Sequence, residues 1–356
     1  GKKVSIHLFG QEINPETYAI AKSDLLLQGQ GDQADHIAFG STLSNDQFSS
    51  YQFDFMLSNP PYGKSWKVDA EKLGGKKAIM DSRFVTYFDD DPEFSMIPRT
   101  SDGQLLFLLN NVSKMKKTTE LGSRIAEVHN GSSLFTGDAG SGESNARRYL
   151  IENDLVEAII ALPENIFYNT GIGTYIWVLS NKKAEHRKGK IQLIDATTLK
   201  SPLRKNLGNK NCELTSEIRR QIIDLYMAFE ENEYSKIFNN NEFGYWEVTV
   251  LRPAYNEDGS IQRDKKGNPV TNKELTDTEQ IPFTYEGGIE AFFEKEVKPF
   301  APDAWIDEKK TKIGYEISFT KYFYKPIQLR SLEEITADLR ALEAETKGLL
   351  DEIIGG

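Results

Sequence analysis

Residues 51–62 read Tyr-Gln-Phe-Asp-Phe-Met-Leu-Ser-Asn-Pro-Pro-Tyr, an apolar run that leads directly into two prolines and an aromatic residue. The run over residues 51–57 predicts a short buried strand. The two prolines fix the backbone where the strand ends, and they cannot donate hydrogen bonds there. Because ligands of open α/β sheets bind at the carboxyl ends of strands, this stretch predicts a rigid binding corner at such an end.

The corner from Asn59 to Tyr62 supplies hydrogen-bond acceptors next to an aromatic ring. The side-chain oxygen of Asn59 and the carbonyl of Pro60 can each accept one hydrogen of an exocyclic amino group, while Tyr62 stacks on the ring that bears it. Acceptors that hold both hydrogens out of the ring plane favour a pyramidal nitrogen with an available lone pair, without a metal or strong base. We therefore interpret Asn59, Pro60, Pro61 and Tyr62 as catalytic residues; a proline turn with only a structural role is the alternative.

Strands and helices are predicted to alternate on both sides of this corner. An apolar run over residues 4–9 predicts a strand, and Asn14 and Pro15 are placed to begin a helix. Residues 63–99 predict a functional lid or a disordered segment. Further strands are expected over residues 35–39, 124–129, 156–162, 174–179 and 190–194, and helices over residues 101–117 and 143–152. The alternation predicts an α/β fold with a doubly wound, mostly parallel sheet.

The composition excludes several classes of protein. The chain has 356 residues, a net charge of -11 and a mean hydropathy of -0.51. No apolar run approaches the roughly 20 residues that cross a bilayer, and no basic-then-apolar leader occurs, so we expect a cytoplasmic protein without membrane contact. One cysteine and four scattered histidines exclude an internal disulfide framework and predict no metal site. The acidic balance predicts that another chain supplies much of any contact with nucleic acid.

The patterns divide the chain into three regions. Residues 1–196 are predicted to form a catalytic domain, and residues 197–330 an extension with a polar hairpin or loop. Residues 331–356 are predicted to form a terminal helix, which begins with a capping box of Ser331 and Glu334. Its apolar residues recur at intervals of three and four, a heptad seam: Ile335, Leu339, Leu342, Leu349 and Ile353. The seam favours a partner-binding helix; packing on its own domain is the alternative.

The motif Asn59-Pro60-Pro61-Tyr62 resembles the catalytic motif of amino-group methyltransferases that use S-adenosylmethionine, in its adenine-N6 form. Nearly the whole chain resembles the methylation subunit of type I restriction-modification systems. The segments that carry the likeness follow in the family's order: residues 10–18 (Gly-Gln-Glu-Ile-Asn-Pro-Glu-Thr-Tyr), 124–135, 145–148 (Asn-Ala-Arg-Arg), 162–167 (Leu-Pro-Glu-Asn-Ile-Phe), 171–174 (Gly-Ile-Gly-Thr) and 310–354. The resemblance implies a methyltransferase-type α/β fold with a C-terminal helical extension. It also implies methyl transfer to an adenine flipped out of double-stranded DNA.

The resemblance assigns cofactor contacts to particular positions. Glu12 would accept hydrogen bonds from the ribose hydroxyls of S-adenosylmethionine, with an ordinary surface acid as the alternative. Ile13 would cover one face of the cofactor adenine, and Asn59 would lie beside the cofactor as well. Ser41 falls where many relatives place Asp or Asn for the cofactor base; an exposed loop serine is the alternative.

The resemblance also assigns the pocket for the target base. Phe167 or Tyr168 would form the wall opposite Tyr62, and core packing is the alternative for each. A set of basic residues could contact phosphates, although a merely solvated face is favoured for them: Lys114, Lys116, Lys117, Arg147 and Arg148.

The family likeness implies partners and raises a competing hypothesis. A separate specificity subunit would read the DNA and dock on the terminal helix, and a nuclease subunit is left open. The family's first motif, a glycine-rich turn after a first strand that lies mid-sheet, does not occur before Gly10. We therefore expect the chain by itself to bind S-adenosylmethionine weakly and to be inactive. The competing hypothesis is a catalytically inactive, truncated subunit that acts only as a partner-binding module. Glutamine-amide methyltransferases share the motif but do not account for the region after residue 196.

Overall fold

The computed structural model describes residues 5–168, 170–324 and 331–354. Contacts between residues divide the chain into one unit that ends at Ser318 and a second that begins at Phe319. Among the described helices, none is both long enough and apolar enough to cross a membrane.

The first unit contains all the strands of the described chain and most of its helices. The helices are α1 (Pro15–Leu27), α2 (Gly31–Ala34), α3 (Lys67–Lys72), α4 (Gln104–Ser113), α5 (Ser132–Phe135), α6 (Gly142–Glu152), α7 (Ser216–Ala228) and α8 (Gly288–Phe292), followed in the second unit by α9 (Phe319–Phe323) and α10 (Leu332–Ile354). The strands are β1 (Gly10–Glu12), β2 (Ile37–Phe39), β3 (Phe55–Ser58), β4 (Val85–Phe88), β5 (Asp91–Ser95), β6 (Arg124–Asn130), β7 (Val156–Leu162), β8 (Thr174–Ser180), β9 (Lys190–Asp195), β10 (Ser201–Leu207), β11 (Lys210–Glu213), β12 (Ser235–Asn239), β13 (Gly244–Leu251), β14 (Asp277–Pro282) and β15 (Trp305–Tyr315).

The first strand begins later than the sequence predicts. Strand β1 starts at Gly10 and pairs in parallel with β2, whereas residues 5–9 form no strand and residues 1–4 lie outside the described part of the chain. Phe9 instead packs in a cluster of rings with His36, Phe48, Tyr51 and Phe53. Of this run, Phe9 serves side-chain packing, whereas Ile6 and Leu8 are exposed. Helix α1 begins as predicted, because the Asn14 side chain accepts hydrogen bonds from two backbone amides of its first turn.

The main sheet has six strands in the order β12-β9-β7-β8-β6-β3. Strands β3, β6, β7 and β9 run in one direction, and β8 and β12 run in the other. The predicted mostly parallel sheet is therefore mixed in its pairings, since β8 is inserted between β6 and β7. Strand β3 is the last strand at its edge, where Phe55 and Leu57 are exposed. Strands β1 and β2 form a separate two-stranded parallel sheet.

Helices cover both faces of the main sheet, which confirms the doubly wound fold. Arg124 and Glu127 lie on β6 three residues apart, so their side chains point to opposite faces. Arg124 donates a hydrogen bond to the hydroxyl of Tyr226 on α7. Glu127 accepts one from Asn111 on α4. Helices α4 and α7 therefore lie on opposite faces of the sheet.

Residues 63–99 are not the disordered segment that is one of the two predictions, because they contain secondary structure of their own. They contain α3 and the antiparallel pair β4–β5, and Trp66 is buried. The Trp66 indole N–H donates to the carbonyl of Arg99. The guanidinium of Arg83 donates to the carboxylate of Asp81 and to the carbonyls of Thr42 and Leu43. The buried aromatic rings and the hydrogen bonds of Arg83 hold this stretch in one conformation, which its turn-rich composition does not predict.

Two further boundaries differ from their predictions. The helix expected over residues 101–117 extends only from Gln104 to Ser113, and Lys114 after it forms an ion pair with Asp46 at 2.5 Å. The strand expected over residues 51–57 is limited to β3, because residues 51 and 53 belong to the ring cluster around Phe9. Both elements exist as predicted, but tertiary contacts shorten them.

The region predicted as an extension contributes one strand to the six-stranded main sheet and all three strands of a further sheet. Strand β12 pairs with β9 at the edge of the main sheet. Strands β14, β13 and β15 form a three-stranded antiparallel sheet in that order. Residues 252–276 between β13 and β14 form an exposed, polar arm with isolated bridges such as Arg263–Pro269. The boundary at residue 196 remains a prediction of the sequence.

The fully buried Arg147 on α6 joins the three-stranded sheet to the rest of the unit. Its guanidinium donates to the carbonyl of Tyr315, at the end of β15, and to the carbonyls of Ser133 and Thr136. Burial lowers the pKa of Arg147 to about 10, so the side chain remains charged at neutral pH. Backbone carbonyls thus offset part of the cost of burying this cation, although its Nη2 atom is buried without a hydrogen-bond partner in the described residues.

We expect the substitution Arg147→Met to lower the free energy of unfolding by ~3 kcal/mol, because it removes charge-assisted hydrogen bonds and leaves three carbonyls, at Tyr315, Ser133 and Thr136, without that donor. Urea denaturation measures the change. Arg220→Met, at an exposed position of α7, is the matched control and should cost less than ~0.5 kcal/mol. Equal unfolding midpoints for the two variants would contradict the role given to Arg147.

Candidate active site at the carboxyl edge of the main sheet

Strands β3, β6 and β7 point their carboxyl ends to one edge of the main sheet, because they run in the same direction. Asn59 follows β3 directly, and Pro163 follows β7. Strands β6 and β8 lie between β3 and β7, so the two strands are about 14 Å apart across the sheet at the usual spacing of ~4.8 Å. By register, Ser58 at the end of β3 is level with Ile159, three residues before the end of β7. The corner at residues 59–62 and the loop at residues 163–168 thus follow strands on either side of β6 and β8.

The corner after β3 presents Asn59 to solvent. Asn59 and Pro61 are exposed, Pro60 is buried, and Tyr62 is half-buried. The amide of Asn59 has no hydrogen-bond partner within the described residues, so its oxygen is free to accept. Burial raises the pKa of the Tyr62 hydroxyl, which keeps the phenol neutral at physiological pH. A buried proline therefore fixes the backbone while the neighbouring acceptor and ring face outward.

Glu12 and Ile13 lie at the end of β1, in the two-stranded sheet. One carboxylate oxygen of Glu12 accepts a hydrogen bond of 2.7 Å from the backbone amide of Asn14. This bond holds the carboxylate at the end of the strand, and its second oxygen has no partner among the described residues. The side chain of Ile13 is exposed beside it. Glu12 and Ile13 therefore lie next to each other at the end of a strand of the two-stranded sheet, whereas Asn59 follows a strand of the main sheet.

Ser41 is a buried serine rather than an exposed loop residue. Its hydroxyl donates to Asp69 at 2.6 Å and accepts from the backbone amide of Leu43. The Ser44 hydroxyl donates to the same carboxylate oxygen of Asp69. These contacts explain Ser41 as part of a turn that is tied to α3, and its predicted contact with a cofactor base stays a prediction.

The two aromatic residues after β7 have different surroundings. Phe167 is half-buried and packs against a core cluster that includes Ile160, Ile166 and Ile222. The next residue, Tyr168, is 58% exposed. Within this loop Asn165 has a left-handed backbone with φ 58°, a conformation that asparagine tolerates better than most residues. Of the two candidates for the base pocket, Tyr168 is the one whose ring is free of the core.

Most of the basic residues considered for phosphate contacts are engaged elsewhere. Arg147 is buried, and Arg148 forms ion pairs with Asp89 and Glu152. Lys114 pairs with Asp46, and Lys116 pairs with Asp54. Lys117 is exposed. The favoured interpretation, a merely solvated face, is wrong for Arg147 and Lys114, which are buried, whereas the exposed Lys117 agrees with it.

Sequence reasoning missed the hairpin β10–β11, which lies against the loop after β7. The backbone amide of Asn209 donates to the carbonyl of Tyr168, and that of Asn211 donates to the carbonyl of Asn165. The Lys210 ammonium lies 5.2 Å from the centroid of the Tyr168 ring. The turn sequence Asn-Leu-Gly-Asn at residues 206–209, between two basic stretches, is the signal that could have found it.

Comparison with known proteins places the chain among DNA methylases. A profile of the N-6 DNA methylase family matches residues 1–264. The MjaIX methylase subunit, from a type I restriction enzyme of Methanocaldococcus jannaschii, is 26% identical over 249 residues, which are 69% of this chain and 40% of that protein. The MjaVII methylase subunit of the same organism is 29% identical over 240 residues, 67% of this chain and 38% of that protein. The chain thus spans about two fifths of the length of these relatives.

A solved structure supports the fold. The methyltransferase subunit of a type I restriction-modification system from Streptococcus thermophilus superposes with a TM-score of 0.53 at 24% sequence identity, and the match covers 66% of this chain and 45% of that chain. This likeness confirms the predicted methyltransferase type of α/β fold.

The different surroundings of Phe167 and Tyr168 give a prediction. Phe167→Ala should lower the free energy of unfolding by ~2 kcal/mol, because it removes packing from the core. Tyr168→Ala should cost less than ~1 kcal/mol, because the ring is mostly in solvent. Urea denaturation of the two single variants checks both values. Equal losses would show that Tyr168 also packs as a core residue and is not free for a ligand.

Proposed function

Because this chain belongs to the N-6 DNA methylase family, we propose that it is the catalytic part of a type I restriction-modification methylase subunit. It transfers a methyl group from S-adenosylmethionine to N6 of an adenine that is flipped out of double-stranded DNA. The observation that carries this proposal is the corner after β3, where Asn59 is exposed with a free amide oxygen, next to the half-buried ring of Tyr62.

The residues at the end of β1 fit the ribose and adenine half of S-adenosylmethionine. A carboxylate at the end of a strand is an ordinary acceptor for ribose hydroxyls, and Glu12 has an oxygen available for them. The exposed side chain of Ile13 offers an apolar face to the adenine. Ser41 is the weakest member of the proposed set, since its hydroxyl proton is already donated to Asp69.

Catalysis by these residues is positioning and polarisation. The bound cofactor supplies an electrophilic methyl group on a sulfonium. The amide oxygen of Asn59 and the carbonyl of Pro60 accept the two hydrogens of the adenine amino group, which keeps the nitrogen lone pair directed at its target. With the cofactor bound, the nitrogen held by Asn59 and Pro60 would take the methyl group as the sulfur–carbon bond breaks, and it would then lose one proton to solvent. Asn59 is exposed, so water can receive that proton.

The target base is held between aromatic rings. Tyr62 stacks on one face of the flipped adenine, and the loop after β7 supplies the other wall. Tyr168 suits that wall because its ring is exposed, whereas Phe167 supports the loop from the core side. Stacking on two rings offsets part of the cost of taking the base out of the duplex.

The terminal helix α10 is the proposed dock for a specificity subunit. The predicted capping box is present, since Glu334 accepts from the Ser331 amide and the Ser331 hydroxyl accepts from the Glu334 amide. Leu339 and Leu342 are 61% and 60% exposed, and Ile335 is exposed on the same stripe. Leu349 and Ile353 have side chains outside the described set. An apolar stripe of this spacing is suited to a helix of another chain. A partner that reads DNA is also consistent with the net charge of -11.

The methylation proposal predicts that Asn59→Ala lowers kcat for methyl transfer to DNA about 100-fold or more, because one preorganised acceptor is lost. The assay follows transfer of a radioactive methyl group from S-adenosylmethionine to DNA. It uses the native protein that contains this chain, with and without its specificity subunit. Asn241→Ala, at an exposed position away from the site, is the control. Full activity of Asn59→Ala would refute the proposed mechanism, and an inactive wild type that still binds its partner would favour the partner-binding module.

The docking proposal predicts that Leu339→Glu weakens association with the specificity subunit at least about tenfold, because it buries a charge in an apolar seam. Analytical ultracentrifugation or calorimetry of the two purified proteins gives the dissociation constant. Ala341→Glu adds the same charge at an exposed neighbouring position of α10 and should change it little. If both variants associate as the wild type does, the seam is not the dock.

A further inference from the structure

Some basic side chains of the first unit are paired with carboxylates, whereas others are exposed and have no ion pair within the described residues, including Lys64, Lys76, Lys77 and Arg220. The chain is acidic overall, with 54 acidic and 43 basic residues. Several of its cations are held in ion pairs, including Lys114–Asp46, Lys116–Asp54, Arg124–Glu157 and Lys183–Asp154. Any contact between this chain and DNA phosphates therefore depends on cations that have no carboxylate partner.

The hairpin β10–β11 concentrates such cations. Residues 200–213 contain four basic residues and one acid, Glu213. Arg204 and Lys205 are exposed on β10, and neither has an ion pair or a side-chain hydrogen bond within the described part of the chain. Leu207, at the turn, is exposed between these cations and Lys210. The hairpin thus presents positive charge in a protein of opposite net charge.

The position of the hairpin is fixed by the loop that carries Tyr168. Three contacts run antiparallel along the two segments: the Cys212 thiol to the Glu164 carbonyl, the Asn211 amide to the Asn165 carbonyl, and the Asn209 amide to the Tyr168 carbonyl. Strand β11 therefore lies next to the loop, and β10 lies on its far side.

The turn of the hairpin is equally constrained. Gly208 has φ 62°, and a Cβ at this position would lie 2.9 Å from the Tyr168 carbonyl oxygen. Only glycine allows this close approach without displacement of the loop. Any ligand held at Tyr168 is consequently adjacent to a rigidly placed basic hairpin.

We propose that the hairpin β10–β11 binds the DNA backbone beside the target base, with Arg204 and Lys205 on phosphates and Lys210 next to the base pocket. This inference rests on the proposed function, because it takes Tyr168 as a wall of that pocket. Phosphate contacts carry no sequence information and position the duplex. The specificity partner reads the sequence, while the hairpin holds the strand from which the adenine is taken.

The test compares two double variants that remove the same charge. Arg204→Gln with Lys205→Gln should weaken binding of a fluorescent DNA duplex about tenfold or more, and it should reduce the slope of log K against log salt by about 2. Fluorescence anisotropy of the complete protein over a salt series measures both. Lys265→Gln with Lys266→Gln, also adjacent and exposed but on the polar arm, should leave the slope unchanged. Arg204→Lys with Lys205→Arg keeps the charge and should retain the wild-type slope.

Further readouts separate this inference from the proposed function. At saturating DNA, kcat for methyl transfer should be unchanged in the Arg204→Gln, Lys205→Gln variant, because phosphate contacts act on KM. An unchanged salt slope in a protein that methylates DNA would overturn the inference and leave the function intact. Weaker association with the specificity subunit at an unchanged DNA slope would also overturn it, since the hairpin would then be a protein contact. If the wild type fails to methylate DNA, the proposed function fails, whatever the hairpin does.

Discussion

The site depends on the common direction of β3, β6 and β7. Because these strands are parallel in direction, the corner at Asn59 and the loop at Tyr168 leave the same edge of the sheet although about 110 residues separate them along the chain. Strands β6 and β8 lie between β3 and β7, so β3 and β7 are three strand spacings apart. Reversal of either strand would carry one half of the site to the opposite edge. The strand directions are therefore the condition on which the proposed chemistry rests.

Rigid backbone is the second condition. Pro60 is buried while Asn59 is exposed, so the chain turns at a fixed angle and its acceptors remain outside. The loop after β7 is fixed in another way, by the packing of Phe167 on the core and by backbone hydrogen bonds from β11. If Tyr62 and Tyr168 hold the base as proposed, little ordering of these two segments would have to accompany binding.

The basic residues that the structure describes include some that are paired within the chain and others that are exposed without an ion pair there. Many basic side chains form ion pairs with carboxylates of the same chain. Arg147 donates its hydrogen bonds to backbone carbonyls at the junction with the three-stranded sheet. Two exposed cations without an ion pair among the described residues, Arg204 and Lys205, lie on β10 of the hairpin that contacts the Tyr168 loop. In the proposed function, an acidic subunit would have little general attraction to DNA and would leave sequence recognition to a partner. The exposed stripe of α10 is consistent with that dependence on another chain.

The sequence determined the α/β class, the strand that leads into Asn-Pro-Pro-Tyr, the cap of α1 at Asn14 and the capping box of α10, because each follows from local spacing and local hydrogen bonding. It did not determine the ends of elements such as α4 or the first strand. There, an ion pair of Lys114 and a ring cluster around Phe9 outweighed the apolar pattern. Nor did it distinguish Phe167 from Tyr168 or paired cations from free ones. Those distinctions depend on partners that are distant in sequence, as Arg83 with Thr42 and Arg204 without a carboxylate illustrate. Burial and pairing are properties of the assembled sheet, and only the tertiary structure decides them.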